Sequence, residues 1–163
     1  MNAIKFIQQH GVDKAREVVE GAPKGAELFH TNTYIKNAHS EGRTDHFARW
    51  SDGFKGWVNA SADREFIDES IVLEELKRLV ESVDLVNCNG GWNGTKNTIT
   101  LFQSSLDLGL YHGVDGVDAE VEIPRLKQAI ADYEAIYSFD IEKREFELGL
   151  APDSDYVKGG EHV

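Results

Sequence analysis

Cysteine is nearly absent, with Cys88 standing alone among 163 residues. That count excludes an internal disulfide and any site built from several thiolates, and it fits a reducing compartment. Long apolar runs are missing too. No stretch approaches the roughly 18 apolar residues of a membrane span, and Met1 to His10 lacks the basic, apolar and small-residue regions of a secretory leader. The expectation is a cytoplasmic protein. Catalytic signatures are equally scarce. The chain carries no Gly-x-x-x-x-Gly-Lys phosphate loop, no strand-bound Gly-x-Gly-x-x-Gly, no His-Glu-x-x-His and no Gly-x-Ser-x-Gly elbow. Each gap counts against one class of enzyme, and no cofactor is expected.

Positive charge is in short supply. Lys and Arg number 17 against 29 Asp and Glu, for a net charge of −12. The deficit is uneven. Residues 1–64 hold 8 acids and 9 bases, a net of +1, while residues 65–163 hold 21 acids and 8 bases, a net of −13. An acidic second part repels nucleic-acid phosphates within a Debye length. It suits either plain solubility or contact with a basic protein surface, including one that ordinarily grips DNA.

What the sequence does have is helical periodicity. Leu76 to Asn87 and Leu126 to Tyr137 each open Leu-Lys and repeat apolar residues at helical spacing, which marks both as faces of one core. Ile71, Leu73, Leu76, Leu79, Val80, Val83 and Val86 form one stripe, and Leu126, Ile130, Tyr133 and Ile136 the other. Two short helices precede them. Ala3 to His10 stops at Gly11, and Asp13 is placed to cap Lys14 to Glu20 before Gly21-Ala22-Pro23. A matching corner recurs at Gly90-Gly91, with Asn93 placed to cap the next helix. Thr98 to Gln103 is β-branched and ambiguous, and it is read as helix. Asp115 to Glu120 reads as a turn, Pro124 as first-turn helix, and Asp140 to Leu148 as a shorter acidic helix.

Between the helical blocks the period changes to 2. Leu28 to Lys36, Asp45 to Trp50 and Phe54 to Asn59 read as three strands, with Asp52-Gly53 as a hairpin turn. Three strands need a covering layer, so one face should pack on helices and bury members of the set Phe47, Trp50, Phe54 and Trp57. The predicted architecture is α+β, a small antiparallel three-stranded sheet packed against several helices. Residues 1–149 form a single domain, and 150–163 form a loose C-terminal tail.

Candidate chemistry is sparse. His30, His39 and His46 could approach one another, but their spacing matches no zinc finger or facial triad, and solvent-facing strand histidines explain them. Asp115, Asp118, Glu120 and Glu122 lack the EF-hand ligand order and suit a helix N-terminus. No metal is expected. The first helical corner, with Lys14 and Arg16, could touch DNA phosphate, yet it has no Arg, Asn or Gln cluster for base edges beyond Arg16. Trp50, Phe54, Trp57 and Trp92 are either core or, where exposed, anchors of a protein interface, and Tyr34 belongs to the same segment of interest.

Ala3 to Pro23, Leu76 to Gly91 and Arg125 to Tyr137 together resemble a family of small accessory proteins from lambda-like phages and prophages of enteric bacteria. The resemblance spans about a third of the chain. It implies a non-essential early phage product acting inside the host cell, and it carries over no catalytic residue. The expected function is non-enzymatic binding of a host protein concerned with defence, recombination or transcription, with acidic nucleic-acid mimicry as one version. A small DNA-binding regulator using the N-terminal corner is the alternative, and a metal-dependent enzyme using the histidines comes third. The expected contact residues are Tyr34, Trp50, Phe54, Trp57 and Trp92. No direct nucleic-acid or membrane contact is expected.

Overall fold

The computed structural model describes residues 2–37, 47–60, 68–109 and 118–147. The expected acidic turn at 115, the histidines at 39 and 46 and the C-terminal tail lie outside these residues.

Helix α1 (Ala3–His10) begins where the Asn2 side chain accepts the Lys5 amide at 2.8 Å, and it ends where the Gly11 amide donates to the Ile7 carbonyl at 2.7 Å. Helix α2 (Val12–Glu20) follows directly. Gly11 occupies the N-cap expected for Asp13, whose carboxylate instead accepts a 2.9 Å bond from Arg16. The same guanidinium reaches Asp84 at 2.6 Å and pins α2 to a later helix.

The sheet has five strands among the described residues, rather than the three read from the sequence. Its order is β4-β3-β2-β1-β5, antiparallel throughout. The strands are β1 (Leu28–His30), β2 (Thr33–Asn37), β3 (Phe47–Ser51), β4 (Gly56–Ala60) and β5 (Ile71–Val72). The segment predicted as one strand from Leu28 folds back on itself at Thr31-Asn32, both at positive φ (43° and 63°). That two-residue reversal has the handedness that right-twisted strands require, but neither residue is the glycine that usually announces it. Ile71 and Val72, expected to begin a helix, instead pair with Phe29 and Leu28.

Helix α3 (Leu73–Cys88) buries Leu73, Leu76, Leu79, Val80, Val83 and Val86, the predicted stripe less Ile71. Helix α4 (Gly91–Asp107) leaves α3 through a corner with Gly90 and Gly91 both at φ 81°. Asn93, expected to cap it, sits inside its first turn. At Gly94 a Cβ would lie 2.0 Å from the Asn89 carbonyl oxygen, so this corner closes only around a glycine. The ambiguous Thr98 to Gln103 segment is helical, and the hydroxyls of Thr95, Thr98, Thr100, Ser104 and Ser105 all donate to the carbonyl four residues back.

Helix α5 (Ala119–Glu147) starts at Asp118, whose carboxylate accepts the Glu120 amide at 2.9 Å, while Glu122 pairs with Arg125 at 3.2 Å. These acids serve the helix terminus. Pro124 lies further inside α5 than the first turn expected for it, and Tyr137 (φ −115°, ψ 17°) breaks the helical path before the acidic stretch.

One face of the sheet carries Phe29, Tyr34 and Ile71 into a core shared with Phe6 and Ile7 of α1, Val18 of α2, the stripe of α3 and Ile136 of α5. Leu76 and Leu79 are fully buried there. Truncating either to alanine should cost about 2–5 kcal/mol. Helix α5 packs along α3, and the join is polar at one point. Asp132, buried at 6% exposure, accepts bonds from Arg78, from Ser82 Oγ at 2.7 Å and from Gln128 Nε2 at 3.0 Å. Among the described residues no helix is long and apolar enough to cross a membrane.

Candidate interaction site

The five residues singled out in the sequence fall into two groups. Trp50, Phe54 and Trp57 come together on the β3–β4 hairpin, whereas Tyr34 and Trp92 serve the packing of helices.

The hairpin is set by its cross-strand pairs. A two-residue Asp52-Gly53 turn would have placed Trp50 opposite Lys55. Instead Trp50 faces Trp57 and Ser51 faces Gly56, which leaves a four-residue turn, Asp52 to Lys55. This register brings the two indoles edge to face at 5.4 Å between centroids. Such a pair contributes about 0.5–1.5 kcal/mol beyond buried area. Lys36 on β2 places its ammonium 4.8 Å from the centre of the Trp57 ring, a further gain of about 0.5–1 kcal/mol. Trp50 Nε1 donates to Asp52 Oδ1 at 3.2 Å, and the Phe54 amide approaches Ser51 Oγ at 3.4 Å.

These contacts fix a turn whose most apolar member faces water. Phe54, expected as a strand residue with one face available for burial, is 84% exposed. Trp50 and Trp57 are half-buried beneath the turn. Lys55 holds φ at 48°, in the left-handed region, with no glycine to ease it. The local charge is positive, since Lys36, Arg49 and Lys55 surround a single Asp52 on these strands and their turn.

Tyr34, on β2 beside the hairpin, ties the sheet to α2. Its hydroxyl donates to the Val18 carbonyl at 2.8 Å, near the end of α2, and its ring leans on Phe29 at 5.2 Å. Burial pushes the phenol above its ordinary value of 10, Lys14 opposes that, and Asp52 adds to it. Trp92 is held by neighbours of its own. Its indole N–H donates to Glu134 Oε1 at 2.9 Å, and the Lys96 ammonium sits 3.4 Å from its ring centre. It joins α4 to α5 through Ile99, Val86 and Ile130.

The cations proposed for DNA contact are also engaged. Arg16 is bound to Asp84 first and Asp13 second, which together raise its pKa, and Lys14 is raised by Glu17 at 2.7 Å. His30 ends β1. Among the described residues no three His, Cys, Asp or Glu side chains gather into a metal site.

Sequence reasoning found the aromatic residues of the hairpin. It missed Lys36, whose place over Trp57 follows from the β2–β3–β4 register, and the Asp132 cluster, whose signal was a carboxylate on the apolar face of a predicted helix. Comparison with family models, with curated proteins and with solved structures finds no match.

Proposed function

We propose that this protein is a non-enzymatic accessory protein that binds a host protein through the tip of the β3–β4 hairpin. The observation that carries the reading is Phe54, 84% exposed on a turn braced by the Trp50–Trp57 pair. A large aromatic side chain in water on a turn whose backbone is already braced leaves less to be ordered on binding, which suits an interface anchor. The charge around it favours a partner pocket with an apolar floor and an acidic or neutral rim. That differs from the basic partner surface expected from the net charge alone, and it leaves the acidic helices to solubility and long-range orientation. The resemblance to accessory proteins of lambda-like phages supports a target in the bacterial cell, in defence, recombination or transcription.

The test is quantitative capture from lysates of enteric bacteria, using tagged wild-type protein beside Phe54→Ala and an α4 surface control, Asn97→Ala. One stoichiometric partner retained by the wild type and the control, and lost with Phe54→Ala, is the expected result. Equal capture by all three proteins, or by none, would count against the hairpin as the contact.

A further inference from the structure

Among the described residues, helix α4 is packed on one side only. Trp92, Thr95 and Ile99 turn toward α3 and α5, while on the far side Leu101 and Leu108 are 68% and 77% exposed. Thr98, Leu101, Ser105 and Leu108 follow one another at spacings of three, four and three residues. That is the seam of a helix that pairs with another helix. Its two hydroxyls are already committed. Thr98 Oγ1 donates to the Gly94 carbonyl and Ser105 Oγ to the Leu101 carbonyl, each at 3.0 Å, so covering the seam strands no donor.

The seam is also an uncharged side of an acidic molecule. Helix α4 carries only Lys96, turned inward to the Trp92 ring and Glu134, and Asp107, which accepts a bond from Gln103. Both lie around the helix from the two leucines. The outer faces of α3 and α5, by contrast, show Glu74, Lys77, Glu81, Glu120, Arg125 and Lys127 to water.

We propose that this seam binds a second copy of the chain, α4 against α4 in antiparallel order about a two-fold axis. The seam itself selects that occupant. Antiparallel pairing sets Leu101 of one copy against Ser105 of the other, and Leu108 against Thr98, so each leucine meets a small residue and one patch complements itself. Parallel pairing would set leucine on leucine and leave Ser105 facing Ser105 across a gap. Charge points to the same face. At a net charge of −12 two copies repel, and their approach is least opposed where neither surface is charged. Helix α4 has 17 residues and is about 25 Å long, so the contact is small and the dimer weak, with a Kd of about 10–100 µM. Salt screens the repulsion and tightens the association. The seam shares no residue with the hairpin tip, so either proposal can fail alone.

The experiment is sedimentation equilibrium of the full chain at low and high salt, loaded from about 1 to 300 µM to bracket that Kd. A reversible monomer–dimer equilibrium, tighter at high salt, is expected. Leu101→Glu should weaken it at least about tenfold. The melting temperature of that variant, taken at the dilute end, should stay within about 2 °C of wild type because the side chain is 68% exposed. Leu108→Ser is a milder second variant acting in the same direction, and Phe54→Ala should leave the association unchanged. Orientation is read in a Cys88→Ser background, which removes the one native thiol. Mixed Leu101→Cys and Ser105→Cys chains should oxidise to the mixed disulfide beyond its statistical share. The proposal is overturned if the chain stays monomeric throughout, if neither leucine variant weakens the dimer, if Phe54→Ala abolishes it, if salt loosens it, or if the symmetric disulfides prevail.

Discussion

Replacing Phe54 by alanine separates an interface role from a structural one, because the two predict opposite patterns of stability and binding. At 84% exposure the side chain removes little surface from water in the folded protein. Its loss should therefore change stability by no more than about 0.5 kcal/mol. For a chain of this size that is about 2 °C or less in melting temperature. Trp57→Ala is the counterpart. It abolishes the edge-to-face pair with Trp50 and the Lys36 contact, and it removes a half-buried indole. Those losses together amount to about 2–3 kcal/mol, roughly 5–10 °C. If Phe54 is the anchor, its truncation should cost the complex at least about 2 kcal/mol, close to a thirtyfold rise in Kd. Calorimetry on the captured partner measures the second quantity, and thermal unfolding the first. A Phe54→Ala protein that binds within about threefold of wild type, or that melts as low as Trp57→Ala, would refute the reasoning.

Three further outcomes follow from the geometry. Asp132→Ala leaves Arg78 and the buried Ser82 hydroxyl without their shared acceptor, so urea unfolding should show a loss of about 2–3 kcal/mol, and Ser82→Ala should cost more than Arg78→Met because Arg78 is 44% exposed. Gly94→Ala drives a Cβ into the Asn89 carbonyl and should destabilise by about 1–3 kcal/mol, although alanine is the better helix former. The Tyr34 phenol holds its proton more tightly folded than unfolded, so its contribution stands in full below the unfolded value near 10 and declines as pH rises through the raised folded value. As pH rises above the ordinary tyrosine value, the stability of Tyr34→Phe should fall less steeply than that of the wild type, as measured by denaturant titration at each pH.

The stripe of α3 was legible in the sequence because its six apolar residues at helical spacing leave few alternatives; the seventh, Ile71, belongs to β5. The helical reading of Thr98 to Gln103 also held, although β-branched residues argue for strand. Tertiary contact through Trp92 and Ile99 decides the matter, and the serine and threonine hydroxyls bond within the helix. The miscount of strands has two local causes. Thr31-Asn32 reverses the chain without a glycine, and Ile71-Val72 is a strand only because Phe29 and Leu28, some forty residues earlier, lie beside it. Likewise Trp50, Phe54 and Trp57 were visible as candidates, but which of them faces water depended on register. The Asp-Gly pair pointed to a tighter turn, and the pairing of the two indoles prevailed.

The two Leu-Lys helices now account for more than a shared core. An apolar stripe alone fixes the register of α5 against α3 through shape, and cores tolerate repacking among leucine, isoleucine and valine better than they tolerate an unpaired buried charge. Asp132 narrows that tolerance. It is met from α3 by Arg78 and Ser82, one turn apart, and from its own helix by Gln128, so that only one register satisfies all four groups. Trp92 and Lys96 repeat the arrangement between α4 and α5 by closing on Glu134, two residues further along. Polar side chains at the helix joins thus set the position of α5, and through Ile136 that position reaches the core beneath the sheet. The β3–β4 hairpin lies at the other side of that sheet, joined to it through β2. None of the groups that set the register of α5 lies on this hairpin, so Phe54→Ala at its exposed tip leaves the Asp132 and Glu134 contacts intact.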